Sequence, residues 1–202
     1  RNAFGLYSDL MREMTLNPAM GNYLDMAIST RTRPNENYAR EILQLFSIGL
    51  YMLNQDGTVK RDAQGNPIPT YDQAVVNGFT KVFTGWTFCG SQCADTEPGI
   101  VNYRQPLVLN PANHDTGEKQ VLSYPGSDPN IPAGLSGEED LRRALDNIFH
   151  HPNVAPFVGK LLIQQLVTSN PTPRYVGRVP ALFNDNGQGI RGDLKAVVRA
   201  IL

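Results

Sequence analysis

Apolar residues recur every three or four positions along most of the chain, a pattern typical of amphipathic helices. Asn17 before Pro18 predicts an N-cap and the first residue of a second helix, which we expect to continue to about Ser29. The most regular pattern predicts a helix over residues 36–48, with Gly49 at its end. The helix that opens the chain would bury a face made of Phe4, Tyr7, Leu10, Met11 and Met14.

The pattern changes after residue 50. Turn sequences on both sides of Thr58-Val59-Lys60 predict a short β-hairpin over residues 51–70. A helix over residues 71–86 follows, with Thr70 or Asp72 as its cap. Residues 87–135 have no sustained period and carry six prolines, so we expect a long loop there. Loops of this length are usually functional, and a site is therefore expected in it.

Residues 136–202 return to the helical pattern. Ser136 with Glu139 forms a capping box that predicts a helix start, and further helices are expected after Asn153, Thr172 and Asp193, with a kink at Pro180. We therefore predict one mainly α domain over residues 1–202, a multi-helix orthogonal packing with a small β-hairpin and a long Pro/Gly-rich loop. Its segments would be 1–50, 51–70, 71–86, 87–135 and 136–202. Because the chain starts without Met and ends on apolar residues, we expect it to be part of a longer helical protein.

Charge and hydropathy exclude two classes of partner. The 202 residues include 18 Lys and Arg against 19 Asp and Glu, a net charge of -1. This balance leaves no basic excess to neutralise a nucleic acid backbone. No apolar run approaches the roughly 18 residues that a membrane span requires. Neither a nucleic acid nor a membrane span is predicted.

Several motifs together resemble the bacterial family known as domain of unknown function 1800. Residues 35–49, NENYAREILQLFSIG, are similar to the family signature NENYAREL-x-ELF-x-x-G. The supporting motifs are Asn17-Pro18-Ala19-Met20, Thr84-Gly85-Trp86, His114-Asp115 with Lys119, and Gly192-Asp193-Leu194-Lys195.

The resemblance covers essentially the whole chain, and these motifs look like the C-terminal half of the family's domain, which implies a missing helical N-terminal half. It also implies an exported bacterial protein, periplasmic or extracellular, often found beside a second exported protein with a sulfatase-like fold. It implies no reaction.

The polar face of the 36–48 helix allows two interpretations. It can be a solvated face, with Glu36 and Arg40 as an i, i+4 surface pair. If another part of the protein covers it, Arg40 could bind a carboxylate or phosphate, and Glu36 and Glu41 could act as acid and base or as metal ligands. These two glutamates lie about 140° apart on a regular helix and do not converge on one ion. Asn35 and Asn37 are candidate binding residues beside them.

His114 and Asp115, with Lys119 nearby, form the candidate site in the long loop. A histidine and a carboxylate can bind a metal or act as a base with its orienting group. The alternative is an Asx turn over residues 115–117, with His114 packed on the body of the protein. The metal signal is weak because no second spaced ligand is present. No cofactor is therefore predicted, and a divalent metal is left open.

Two further sets of residues are expected to have structural roles. His150 and His151 lie at a predicted helix end, where they would cap the last carbonyls. If that end faces the loop, His151 could join His114. Trp86, which follows Gly85, is expected as a core anchor.

Cys89 and Cys93 form a lone C-x3-C pair, too few cysteines for a zinc site. A disulfide and a free reactive pair are both compatible with the spacing. Because the resemblance implies export, the disulfide is favoured.

Three functions are compatible with these residues. The first is a structural or partner-binding module of an extracytoplasmic assembly, with the sulfatase-like protein as its partner. The second is a hydrolase, with or without a metal, whose site lies between the 114–119 loop and the polar face of the 36–48 helix. The third is a carbohydrate or small-ligand binder using Trp86 and Tyr103. The module is preferred because no catalytic motif with a specific spacing is present.

Overall fold

The computed structural model of the protein describes residues 2–90, 93 and 99–202. The fold is mainly α, as predicted, with two small antiparallel sheets of two strands each among the described residues. The helices are α1 (Tyr7–Thr15), α2 (Pro18–Tyr23), α3 (Asn37–Gln44), α4 (Gln73–Val82), α5 (Gly137–His150), α6 (Val154–Leu166), α7 (Pro173–Val176), α8 (Val179–Asn184) and α9 (Leu194–Ile201). The strands are β1 (Trp86–Thr87), β2 (Val108–Leu109), β3 (Lys119–Gln120) and β4 (Asn130–Ile131).

The chain divides by its internal contacts into two compact units. Unit 1 covers Arg1–Leu10, Ile42–Tyr71 and Ile148–Leu202. Unit 2 covers Met11–Glu41 and Asp72–Asn147. That residues 1–202 form a single domain stays a prediction.

In unit 2, helix α2 begins where the sequence predicts and ends earlier. The Asn17 side chain accepts hydrogen bonds from the backbone N–H groups of Ala19 and Met20. The helix ends at Tyr23, because Asp25 adopts a left-handed conformation with φ of 60° that a helix cannot contain. A 3₁₀ turn, Met26–Ile28, replaces the predicted continuation to Ser29.

Helix α4 packs closely against β3. Asp72 caps the helix by accepting a hydrogen bond from the Val75 N–H at 3.0 Å. At Gly78 the helix comes so close to β3 that an added Cβ would lie 1.8 Å from the Gln120 carbonyl oxygen. The buried face of α4 and the residue after it consist of Val75, Val76, Phe79, Val82 and Phe83.

The predicted long loop contains short paired strands. Trp86 lies opposite Leu109 in the β1–β2 pair, and Lys119 lies opposite Ile131 in the β3–β4 pair. Each strand is two residues long, too short to produce an alternating sequence pattern. Tertiary pairing therefore gives regular structure to parts of this segment, within residues 87–90 and 99–135, where the sequence shows no period.

In unit 1, residues 51–70 form an irregular meander held by isolated bridges. The bridges pair Tyr51 with Pro69, Leu53 with Val59, and Arg61 with Pro67. Asn153, which is fully buried, ties the start of this meander to α6. Its amide donates to the carbonyl oxygens of Ile48 and Tyr51, at 2.7 and 2.9 Å, and accepts from the Leu53 N–H at 2.7 Å.

The other helix ends differ from the predictions in detail. Helix α3 ends at Gln44, four residues early, where the N–H groups of Ile48 and Gly49 both donate to the Leu43 carbonyl oxygen. Gly49 has a φ of 72° but lies five residues after Gln44, so it does not end the helix as predicted. The predicted kink at Pro180 is a break between α7 and α8, with Pro180 in the first turn of α8. The core of unit 1 includes Val154, Ala155, Val158, Ile163, Val179, Phe183 and Val197.

Candidate functional site

Three ionisable side chains meet in the interior of unit 2. His114, Lys119 and Asp140 are 2%, 1% and 0% exposed. The Asp140 carboxylate lies between the other two, with Oδ2 at 2.9 Å from His114 Nε2 and 2.6 Å from Lys119 Nζ. We call these three residues the buried cluster.

The backbone around the buried cluster is positioned by Thr84 and Gly85. The Thr84 carbonyl oxygen lies 2.8 Å from His114 Nδ1, and the Thr84 hydroxyl accepts a hydrogen bond from the Asp115 N–H. At Gly85 the chain passes so close to the 114–119 loop that an added Cβ would lie 2.8 Å from the backbone nitrogen of His114. The φ angle of Gly85 is 83°. Only glycine accommodates both conditions. The Thr84-Gly85-Trp86 motif therefore positions His114.

The hydrogen bonds of the cluster determine where its protons lie. Both ring nitrogens of His114 face acceptors, the Thr84 carbonyl oxygen and the Asp140 carboxylate. A proton must therefore lie between His114 Nε2 and Asp140 Oδ2, carried by one or the other. Lys119 Nζ also donates to the Gly117 carbonyl oxygen at 2.8 Å. Asp140 Oδ1 is buried and has no hydrogen-bond donor among the described residues.

The structure brings together two of the predicted site residues, His114 and Lys119, through Asp140. Asp115 has a different role: its Oδ1 accepts from the Gly117 N–H at 2.8 Å, which is the Asx turn that the sequence left open. That turn places the Gly117 carbonyl oxygen against Lys119. Asp115 thus shapes the loop that carries the cluster.

Glu36 and Arg40 form a half-exposed pair on the surface of unit 2. Arg40 Nη2 donates to Glu36 Oε1 at 2.8 Å, and the Gln73 amide donates to Glu36 Oε2 at 3.0 Å. The hydrogen bond from Arg40, followed by that from Gln73, lowers the pKa of Glu36. These contacts are those of a surface pair, one of the two interpretations of this face.

The neighbouring candidates organise the start of α3. Asn35 Oδ1 accepts from the Asn37 N–H at 2.9 Å, as a cap does. The Asn37 amide donates to Asp25 Oδ2 at 3.0 Å and so joins α3 to the turn before it. Glu41 is half-buried, and its buried Oε2 has no donor among the described residues.

The aromatic and cysteine candidates lie near β1. Trp86 is buried, so its ring faces protein and not solvent. Tyr103 is exposed and packs edge-on against Phe88. Cys89 and Cys93 form a disulfide, with Cα atoms 5.8 Å apart, a usual separation for such a bond.

His151 lies in the interior of unit 1, while His150 is exposed. Nδ1 of His151 accepts a hydrogen bond from the Asn153 N–H at 3.1 Å. Burial, with a smaller effect of Arg191 and Lys60, lowers the pKa of this imidazole to about 4. The imidazole is therefore neutral in the folded protein at neutral pH.

Asp140 is the member of the cluster that the sequence did not point out. It follows the capping box of α5 and lies four and seven residues before Ala144 and Asn147, all three buried. A carboxylate at a core-facing position of a helix is a signal for a buried partner. Asn147, on the same face, makes two hydrogen bonds with the backbone of Leu122. Its amide oxygen accepts from the Leu122 N–H, and its amide nitrogen donates to the Leu122 carbonyl oxygen.

Two features are absent from the described part of the chain. No group of three or more His, Cys, Asp or Glu side chains in residues 2–90, 93 and 99–202 could hold a metal ion. Within the same residues, no helix has the length and apolar character needed to cross a bilayer.

A family model described as "Protein of unknown function (DUF1800)" matches residues 1–202. The chain belongs to the DUF1800 family. Comparisons of this DUF1800 protein with curated proteins and with solved structures gave no match.

The family signature in this DUF1800 protein mixes buried and exposed residues. Tyr38 is buried, and its hydroxyl donates to Thr15 Oγ1 at 2.7 Å. Burial raises the pKa of the Tyr38 phenol well above its usual value. Asn37, by contrast, is exposed, and its amide donates a hydrogen bond to the Asp25 carboxylate. The signature therefore fixes both the interior of unit 2 and one part of its surface.

Proposed function

We propose that this DUF1800 chain is a partner-binding module of an exported, extracytoplasmic assembly. The observation that carries the proposal is the surface of unit 2 over residues 23–33. Tyr23 and Ile28 are 76% and 67% exposed there, beside the exposed Arg31 and Arg33. We call these four residues the Tyr23–Arg33 surface.

The backbone beneath this surface is fixed. Asp25, between Tyr23 and Ile28, has a φ of 60°, a conformation that costs a non-glycine residue about 1 kcal/mol or more. The Asn37 amide holds its carboxylate, and Met26 and Ala27 anchor the turn in the core. Such strain persists where the surroundings enforce it and is concentrated at functional sites.

The adjoining residues are fixed in the same way. Thr30 and Arg33 exchange two backbone hydrogen bonds, and the Arg31 N–H donates to the Asn113 carbonyl oxygen at 2.8 Å. A partner would therefore meet a surface that is already ordered, which lowers the entropy lost on binding.

The chemistry of the surface indicates what it would bind. Tyrosine and arginine are the residues most enriched among the energetic anchors of protein interfaces. Two exposed apolar side chains with two guanidinium groups fit a protein surface that carries an apolar pocket and carboxylates. The resemblance to exported proteins makes the neighbouring sulfatase-like protein the candidate partner, in the periplasm or outside the cell.

The buried cluster supports this proposal over a hydrolase. A general base must reach its substrate within hydrogen-bond distance, whereas His114, Lys119 and Asp140 are closed to solvent. Their hydrogen bonds are made to one another and to the carbonyl oxygens of Thr84 and Gly117. A role in holding residues 114–119 on α5 accounts for these contacts.

Binding of the sulfatase-like protein, measured by isothermal titration calorimetry, tests the proposal. We expect Tyr23→Ser and Ile28→Ser each to weaken binding about tenfold or more, as the loss of an interface anchor does. Ile100→Ser is the matched control, since Ile100 is 60% exposed in the same unit and outside this surface. A wild-type chain that does not bind, or variants that bind as the wild type does, would contradict the proposal.

A further inference from the structure

We propose that Lys119 and Asp140 are joined by an intramolecular amide bond between the lysine amine and the aspartate carboxyl group, formed by the protein itself. Three observations point to this modification: the contact between the two groups, their complete burial, and the imidazole of His114 on the same carboxylate. None of them involves the Tyr23–Arg33 surface, so the inference is independent of the proposed function.

The reacting groups are already in contact. Lys119 Nζ lies 2.6 Å from Asp140 Oδ2, and both side chains are 0% exposed. Lys119 is held at both ends, by the backbone of β3 and by the hydrogen bond from Nζ to the Gly117 carbonyl oxygen. A fixed contact of this kind raises the effective concentration of the amine at the carboxyl carbon by orders of magnitude.

The buried contact allows the pair to reach its reactive form. Two opposite charges in a closed interior both lose their hydration, and transfer of one proton from Nζ to the carboxyl group leaves a neutral amine beside a neutral acid. His114 Nε2, at 2.9 Å from Asp140 Oδ2, lies where it can share the proton of that acid. A free amine is the nucleophile that amide formation requires.

The reaction balances with the groups present. Nζ attacks Asp140 Cγ, so a Cγ–N bond forms and the Cγ–Oδ2 bond breaks. The departing oxygen leaves as water with two protons, one from the His114–Asp140 hydrogen bond and one from the amine. His114 delivers the first proton and relays the second, and it ends as a neutral imidazole. Nothing is oxidised or reduced.

The product suits the surroundings better than the ions do. The amide keeps one N–H, for which the Gly117 carbonyl oxygen is in place. The amide also keeps one oxygen, Oδ1, whereas the carboxylate has two. Oδ1 has no hydrogen-bond donor among the described residues. No charge is left in the interior. An unpaired neutral carbonyl costs less than an unpaired carboxylate oxygen.

Intact-mass spectrometry of the full chain tests the inference. The disulfide is first reduced, so that its two hydrogens do not enter the comparison. We expect a mass lower than that of the sequence by one water molecule, and a branched peptide joining Lys119 to Asp140 after proteolysis. A mass equal to that of the sequence would overturn the inference and leave the pair as an ordinary ion pair.

Variants test whether the loss of water requires these two residues. Lys119→Arg keeps a cation but has no amine to acylate, so its mass should equal that of its sequence. Asp140→Asn should lose ammonia in place of water. Lys81→Arg is the control, because Lys81 donates to the Glu118 carbonyl oxygen at the surface, and this variant should still lose water. Loss of water from Lys119→Arg would also overturn the inference.

Discussion

His114 Nε2 and Asp140 Oδ2 lie 2.9 Å apart in the interior of unit 2, although 26 residues separate them along the chain. The other ring nitrogen of His114 is 2.8 Å from the Thr84 carbonyl oxygen. The imidazole thus links three segments: the end of α4, the 114–119 loop and the first turn of α5. This link gives His114 a role in stability.

His114→Ala should be strongly destabilising. It removes both hydrogen bonds of the imidazole and leaves a cavity in the interior, for an expected loss of about 3–5 kcal/mol. Asp115→Ala is the matched control, since it breaks only the Asx turn and should cost about 1 kcal/mol. Urea unfolding of both variants measures the difference. Equal, small losses would show that His114 does not hold these segments together.

Gly78→Ala should disturb the contact between α4 and β3. An added Cβ would lie 1.8 Å from the Gln120 carbonyl oxygen, and backbone cannot move aside as a side chain can. We expect a loss of about 2 kcal/mol or more in the free energy of unfolding. Gly90→Ala, where an added Cβ meets nothing within 4 Å, should change it by less than about 0.5 kcal/mol. A Gly78→Ala variant as stable as the wild type would contradict this packing.

Tyr38→Phe tests the buried part of the family signature. The change keeps the ring, which packs against Phe83 with centroids 4.9 Å apart, and removes the hydroxyl that donates to Thr15. The expected loss is about 1 kcal/mol by urea unfolding, the usual value of one net hydrogen bond. Tyr23→Phe, at an exposed position, should leave stability unchanged. The assignment fails if the two variants behave alike.

His151 should make stability depend on pH. In the folded protein burial lowers the pKa of His151 to about 4, against 6.5 for the free group. Between these values the unfolded chain binds a proton that the folded chain does not. The contribution of His151 to the free energy of unfolding is therefore fully present above about pH 6.5. It is lost as the pH drops towards 4, by up to about 3 kcal/mol.

The pH dependence is measured by urea unfolding between pH 4 and 7. His151→Asn, which keeps a hydrogen-bond acceptor but does not titrate, should flatten the dependence in this range. His150→Asn, at the exposed neighbouring position, should leave the wild-type slope. An unchanged slope in His151→Asn would show that other groups produce it.

The caps and the periodic helices could be predicted from the sequence because their determinants are local. Asn17, Asp72 and Asp193 each accept hydrogen bonds from backbone N–H groups two or three residues ahead. Spacing alone identifies such residues. The disulfide between Cys89 and Cys93 was favoured for a different reason, the implied export, and the two cysteines are joined as expected.

The partners of the candidate residues could not be predicted, because they are distant in the sequence. His114 was expected with Asp115 and meets Asp140, and Lys119 meets the same carboxylate. The break at Asp25 was also missed, since a non-glycine residue in a left-handed conformation leaves no pattern in the sequence. Tertiary contacts, here the hydrogen bond from Asn37, stabilise what local preference disfavours.

Backbone hydrogen exchange of the chain, alone and with the sulfatase-like protein, tests the partner-binding role most directly. We expect residues 23–33 to exchange more slowly in the complex, and the exchange rates of the amides around His114 and Lys119 to stay unchanged. Exchange that does not slow over residues 23–33, or that slows only in the 114–119 loop, would contradict this role.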